Sequence, residues 1–139
     1  MGSKSDYLEA KLLDLVLGAT AFSAPATVYL ALFSVTPSDS GGGTEATGSG
    51  YARLAITNNT TNWPNATGTS PTTKNNGTVL TMATATGDWS SGSNMVAWGL
   101  FDASSGGNLL YWGALTEAKP VLNGDTPSFA VNAISITED

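Results

Sequence analysis

The chain contains no cysteine and no histidine, and only five of its 139 residues are lysine or arginine. Without cysteine, neither a disulfide framework nor a thiolate metal site can form. Without histidine, the usual zinc sites, the Ser-His-Asp and Cys-His nucleophile systems and the commonest general base are excluded. The chemistry that remains is that of carboxylates and hydroxyl groups. The sequence therefore predicts no catalytic residue, no metal site and no cofactor.

Positive charge is scarce and long apolar runs are interrupted. Eleven acidic residues against five basic ones give a net charge of −6 at pH 7, with no basic cluster to neutralise phosphates. The most apolar stretch, Leu12 to Ala26, contains Asp14, Gly18 and Pro25, which disfavour a membrane span. The charge at Asp14 also disfavours a cleaved export signal. Binding to nucleic acid or to a membrane is not expected.

The residues that are abundant favour a β-rich protein. Hydrophobic residues make up 41% of the chain, too many for disorder, and Gly, Ser, Thr and Asn are frequent throughout. A chain of this length is predicted to form a single domain. Within it, residues 1–25 are expected to form a helix and an arm of the same unit, and residues 26–139 a β-sandwich domain.

One helix is predicted near the N-terminus, over about residues 6–17. Ser5 is a suitable N-cap. Apolar residues then recur at i, i+4, i+7 and i+8 from Leu8, which makes a single stripe that would cover a sheet. Gly18 is placed to end the helix in the left-handed conformation.

The rest of the chain is predicted to form short strands. Leu100 to Thr116 has the pattern of a β-hairpin, with small residues and two glycines between apolar arms. Ala26 to Val35 is apolar on both faces, which is typical of a central strand. Pro127 to Thr137 is predicted as one strand with a bulge near Asn132, because its apolar parity switches there. Three further strands are predicted, at Tyr51–Thr57, Thr78–Met82 and Lys119–Leu122. The fold class is therefore mainly β: an antiparallel β-sandwich or a jelly-roll-like barrel with one N-terminal helix.

Few residues remain as candidates for chemistry or ligand binding. Asp88 and Asp102 are the best carboxylate pair for a glycosidase, although aspartate in such contexts usually caps a turn. A calcium site is conceivable from four acidic residues, but they lack the spacing of a dedicated loop: Asp39, Glu45, Asp102 and Asp125. Trp63 and Trp89 lie near polar loops and are predicted as exposed contacts for a ligand or partner. Trp98 and Trp112 are predicted to pack in the core or in an interface.

Several segments together resemble small accessory virion proteins of tailed bacteriophages, of the tail-fibre-like or capsid-decoration type. The resemblance spans nearly the whole chain and is carried by SDYLEAKLLDLVLGATAF, PATVYLALFSVTPSD, WGLFDASSGGNLLYWGALT and GDTPSFAVNAISITED. It implies a non-enzymatic structural component of the virion, assembled in the host bacterial cytoplasm. A cysteine-free chain is compatible with that reducing compartment.

Two locations in the virion stay open. A capsid decoration (cement) protein present in many copies is favoured, because one small domain without a coiled coil is poorly shaped as a whole fibre. The alternative is a tail-fibre or baseplate-associated module that binds a receptor. A carbohydrate receptor is expected only under this alternative. The predicted partners are the major capsid protein or tail proteins, and a homo-oligomer, possibly a trimer, is expected. Five residues form the candidate assembly surface: Tyr7, Leu8, Lys11, Leu12 and Phe22.

Overall fold

The computed structural model of the protein describes residues 2–139, so Met1, in the predicted 1–25 segment, lies outside the described residues. Residues 2–139 form one α-helix, α1 (Asp6–Val16), and one short turn (Trp89–Gly92) in which Ser90 and Ser91 have left-handed backbone angles. The strands are β1 (Gly2–Lys4), β2 (Thr27–Val35), β3 (Thr44–Glu45), β4 (Leu54–Thr57), β5 (Thr72–Asn75), β6 (Leu80–Thr81), β7 (Asn94–Phe101), β8 (Leu109–Pro120), β9 (Ser128–Phe129) and β10 (Ser135–Glu138).

Eight strands form the main sheet, in the order β3-β2-β7-β8-β1-β10-β5, and β4 pairs with the same edge of β2 as a continuation of β3. The pairs are antiparallel except for β1 with β10. Strands β6 and β9 form a second, two-stranded sheet. The prediction of a mainly β, sandwich-like fold with one helix is confirmed. The main sheet is open, so the barrel form of that prediction is not adopted.

Strand β2 lies inside the sheet, as its two apolar faces predict. Leu30 and Leu32 pack into the main core, whereas Ala31 and Phe33 belong to a smaller cluster on the opposite face. All four side chains are buried. A strand that is covered on both faces needs apolar residues at every position, which explains the continuous run YLALF.

Helix α1 starts where the sequence indicates. Ser5 is the N-cap, and its hydroxyl accepts a hydrogen bond from the Leu8 N–H at 3.3 Å. Its own N–H donates to the Leu110 carbonyl at 2.9 Å, which ties the helix start to β8. The helix end differs from the prediction: Gly18 has φ +156°, and the left-handed residue is Ala19, with φ +52°. The Thr20 N–H then bonds to the carbonyl of Asp14, so the turn closes one residue later than expected.

The C-terminal segment is the clearest correction to the predicted strands. Pro127–Thr137 is not one strand with a bulge: β9 belongs to the small sheet and β10 to the main sheet. Between them the chain turns at Asn132, which has φ +64°. The switch of apolar parity therefore marks a change of sheet: Phe129 on β9 and Ile136 on β10 pack against the core from different sheets, whereas Val131 between them is exposed.

Other strands are displaced or were not predicted. Tyr51–Thr57 shortens to β4, and Thr78–Met82 shortens to β6. Lys119 and Pro120 end the long strand β8 instead of starting a separate edge strand. Three strands lie in segments for which no strand was predicted: β1, β3 and β5. Among the described residues, no helix has the length and apolar character to cross a membrane.

Candidate interaction surface

A buried arginine holds the tip of the β7–β8 hairpin. From its position before β4, Arg53 donates from Nη1 to the carbonyls of Ala103 and Gly106, both at 2.8 Å. The centre of its guanidinium lies 3.6 Å from the centroid of the Phe101 ring. Such a cation–π contact is strongest where water is excluded, as it is around this side chain. The hairpin tip is therefore fixed to the neighbouring loop.

Glu45 on β3 completes this arrangement. Its two carboxylate oxygens accept from Nε and Nη2 of Arg53, each at 2.8 Å, and one of them also accepts from the Tyr51 hydroxyl at 2.7 Å. Burial alone would raise the pKa of Glu45, but the hydrogen bonds from Arg53 and Tyr51 and the charge of Arg53 outweigh it and hold that pKa below its usual value. The same burial and the Glu45 carboxylate raise the pKa of Tyr51. The three groups form a structural ion-pair network.

A cleft of about 400 Å³ lies between the start of α1 and the hairpin tip. Asp6 and Tyr7 line one side, Asp39 lines a second, and Asn108 lines the third. The Trp112 indole N–H donates to the Asp39 carboxylate at 3.1 Å and so orders this wall. The cleft combines aromatic rings with hydrogen-bonding groups.

An apolar pocket of about 230 Å³ lies under α1 and the arm that follows it. Three of the predicted assembly residues, Leu8, Leu12 and Phe22, line this pocket and pack against the core. Leu8 is buried in the isolated chain, so its prediction as a surface residue is wrong. The i, i+4 stripe that starts at Leu8 is the face that covers the sheet, which removes its first residue from any outer surface.

The remaining two predicted assembly residues lie beside that inward stripe. Tyr7 and Lys11 are half-buried, and the Lys11 ammonium lies 5.7 Å from the centroid of the Tyr7 ring. The most exposed apolar side chains of α1 and its end are instead Leu13, Val16 and Leu17. The i+8 spacing from Leu8 predicted Val16 on the stripe that covers the sheet, and that prediction is wrong, because Val16 is 75% exposed. The sequence analysis did not predict Leu13 and Leu17 as exposed apolar residues. Both lie off the inward stripe, at positions where a surface helix usually has polar residues, and this was the signal that could have identified them.

The predicted exposure of two tryptophans is wrong. Trp89 is fully buried: its indole N–H donates to the Ser49 carbonyl at 3.1 Å, and its ring meets Tyr51 edge to face at 5.0 Å. Trp63 is also buried and belongs to the main core. A large aromatic in a polar loop anchors that loop to the core, so the polar neighbours do not indicate exposure. Trp98 is buried as predicted, and Trp112 is half-buried.

The two candidate catalytic carboxylates accept hydrogen bonds from backbone N–H groups. Asp88 accepts the backbone N–H of Asn123 at 2.9 Å. Both oxygens of Asp102 are occupied by Asn108, which donates from its backbone and from its side chain at 2.7 and 2.8 Å. The contacts of Asp102 close the hairpin loop, as those of a turn residue do, whereas Asp88 holds a segment 35 residues further along the chain. Within residues 2–139, no three acidic residues come together to hold a metal ion, so the conceivable calcium set is not assembled.

The chain matches the model of a known protein family. The model of a protein family described as Podophage GP4 fiber I protein gp80 matches residues 3–137. The matched range runs from β1 to β10 and therefore includes the helix, the hairpin and both sheets. No curated protein sequence matches the chain.

Proposed function

The chain belongs to the family of Podophage GP4 fiber I protein gp80, and from that membership we propose that it is a non-enzymatic module carried by a phage tail fibre. The membership itself makes the chain a fibre-type structural protein of a bacteriophage and a component of the virion. The proposal goes beyond this membership in two respects: the location of the chain on the tail fibre and its lack of catalytic activity. The match over residues 3–137 is the observation that carries the proposal.

The shape of the domain supports a module on a fibre over a fibre shaft. A shaft needs a sustained coiled coil or a repeated β motif, whereas the one helix of residues 2–139 has 11 residues and the strands form one open sheet and one small sheet. The assembly partners are then other virion proteins. The predicted homo-oligomer, and assembly in the host cytoplasm, stay predictions.

The contacts of the carboxylates support a structural role. Asp88 and Asp102 are engaged by backbone N–H groups, and Glu45 is engaged by Arg53. Each of these carboxylates accepts hydrogen bonds that hold a loop in place. The carbohydrate-binding alternative relied on exposed Trp63 and Trp89, and their burial withdraws that support.

The competing proposal is that the chain decorates the capsid. The location of the protein in the particle distinguishes capsid decoration from attachment to the tail fibre. We would purify virions, measure the copies of this protein per particle by quantitative mass spectrometry against the major capsid protein, and label it with gold-conjugated antibody. The proposal expects a copy number in proportion to the fibres and label on the tail. Hundreds of copies with label over the head would refute it in favour of decoration.

A further inference from the structure

The outward side of α1 and its end presents a compact apolar surface. Leu13, Val16 and Leu17 are 62%, 75% and 78% exposed, and we call these three residues the apolar ridge. They are spaced i, i+3 and i+4, so their side chains are neighbours on the helix surface. Leu15, on the same helix, is also exposed, and the remaining exposed large apolar residues among residues 2–139 occur singly along the chain: Val35, Val79, Leu122 and Val131. The ridge is thus a concentrated feature of this surface.

The ridge exists because the helix leaves the sheet toward its C-terminus. Along the predicted stripe Leu8 is buried, Leu12 is half-buried, Leu15 is 41% exposed and Val16 is 75% exposed. The first turn is held to β8 through the backbone of Ser5, whereas the last turn projects. A projecting helix end with apolar side chains on several sides is suited to insertion into a groove of another protein.

The charges around the ridge have one sign. Asp6, Glu9 and Asp14 are exposed on α1, and the last turn holds no basic residue. The one cation of the helix, Lys11, is half-buried beside the Tyr7 ring. An acidic residue near a helix C-terminus is unfavourable with respect to the helix dipole, so Asp14 does not serve the helix itself. A partner that complements this surface carries lysine or arginine around an apolar groove.

A second copy of the chain fits the ridge poorly. Two ridges packed together would bring the acidic residues of both copies into one interface, in a chain whose net charge is already −6. Three side chains are also too few for a stable dimer, which typically buries about 800 Å² on each partner. Helix-in-groove recognition needs only a few anchors at this spacing, because the groove wraps around them.

We propose that the apolar ridge docks into an apolar groove, rimmed by lysine or arginine, on a different virion protein. The proposal rests on the proposed function, since it assumes that the chain is mounted on the particle. It assigns attachment to the outward side of α1, and leaves the inward residues Leu8 and Leu12 to the core.

The first experiment measures incorporation into particles. Phage that lack the gene are grown in cells that supply the wild-type chain, the ridge variant Leu13→Ser/Leu17→Ser, or the control Leu122→Ser/Val131→Ser, which removes as many exposed apolar residues elsewhere. The ridge variant should be incorporated at least about tenfold less than wild type, and the control at the wild-type level. Equal incorporation of both variants overturns the proposal. Absence of the wild-type chain from particles would instead refute the proposed function.

The second experiment tests charge and the identity of the partner, and it does not depend on the folding of the ridge variant. Glu9→Lys/Asp14→Lys should lower incorporation severalfold, whereas Glu117→Lys, at an exposed site on β8, should not. A photo-crosslinking amino acid at position 17 of the otherwise wild-type chain should join it, within particles, to a different virion protein. Crosslinks that reach only further copies of this chain, or equal effects of the two charge changes, would overturn the proposal.

Discussion

The amide of Asn76 offers the sharpest test of how the two sheets are joined. Asn76 is fully buried, and its Nδ2 group donates to the carbonyls of Thr78 and Ala130, both at 2.8 Å. Its Oδ1 accepts the backbone N–H of Ile134, also at 2.8 Å. One side chain thereby holds the turn that carries the chain from β9 to β10. We expect Asn76→Ala to destabilise the protein severely.

The magnitude follows from the three contacts. A net hydrogen bond contributes about 0.5–1.5 kcal/mol, and a buried backbone group left without a partner costs about 1–3 kcal/mol. Ile134 is fully buried, so its N–H cannot turn to solvent in the variant. The expected loss in free energy of unfolding is about 3–5 kcal/mol, a large part of the roughly 5–15 kcal/mol of a typical domain. For a chain of this size it corresponds to a fall in Tm of about 10–20 °C.

Urea unfolding followed by tryptophan fluorescence measures this loss, since Trp63, Trp89 and Trp98 are buried and report on the core. Asn65→Ala, in an exposed loop, is the control and should change stability by less than about 0.5 kcal/mol. Asn76→Asp keeps the volume and the acceptor but removes the donors and buries a charge, so at pH 7 it should be at least as harmful as alanine. A loss below about 1 kcal/mol for Asn76→Ala would refute the reasoning.

Three further predictions concern the hairpin and its packing. Arg53→Met should lower the free energy of unfolding by about 2–4 kcal/mol, because it leaves Glu45 half-buried without its cation and releases the hairpin tip. The control Lys119→Ala, at an exposed ion pair, should lower it by no more than about 0.5 kcal/mol. Equal losses for the two variants would contradict the role of Arg53 in holding the hairpin tip. Because the pKa of Glu45 is lowered in the folded protein, the unfolded chain binds the proton more readily. The contribution of ionised Glu45 to the free energy of unfolding is therefore complete above the ordinary pKa of 4.5, and it is lost as the pH falls through the lower pKa of the folded protein. Denaturation curves across that pH range should show this fall in wild type and a weaker one in Arg53→Met, and parallel profiles would count against it. Gly99→Ala should cost about 1–3 kcal/mol in the same unfolding assay, because the added Cβ would lie 2.8 Å from the Phe33 ring; wild-type stability would show that the ring moves aside freely.

The elements that the sequence predicted well are those whose signals are local. The start of α1 follows from the side chain of Ser5, which bonds to a backbone group three residues away. The β7–β8 hairpin follows from glycines between two apolar arms, because chain reversal and strand pairing involve neighbouring residues. The central position of β2 follows from its two apolar faces.

The candidate site was less predictable, because exposure depends on what packs against a residue from elsewhere in the chain. Trp89 packs against Tyr51 and donates a hydrogen bond to the carbonyl of Ser49, about forty residues earlier in the chain. No local sequence pattern predicts contacts between residues so far apart. Strand β5 consists of polar residues, TTKN, and is a strand because β10 pairs with it. The network of Arg53 with Glu45 likewise requires β2 to bring two loops together.

The sequence by itself determined that this protein is mainly β with one N-terminal helix, that it lacks the cysteine and histidine of the common nucleophile and zinc sites, and that the helix turns Leu8 and Leu12 toward the sheet. Composition, turn chemistry and periodicity act over a few residues, so they can be read from the order of the chain. Only the tertiary structure decided which side of α1 remains outside, that Trp63 and Trp89 lie within, and that the last segment divides between two sheets. Those outcomes depend on contacts between distant segments, and the apolar ridge of Leu13, Val16 and Leu17 is what these contacts leave uncovered.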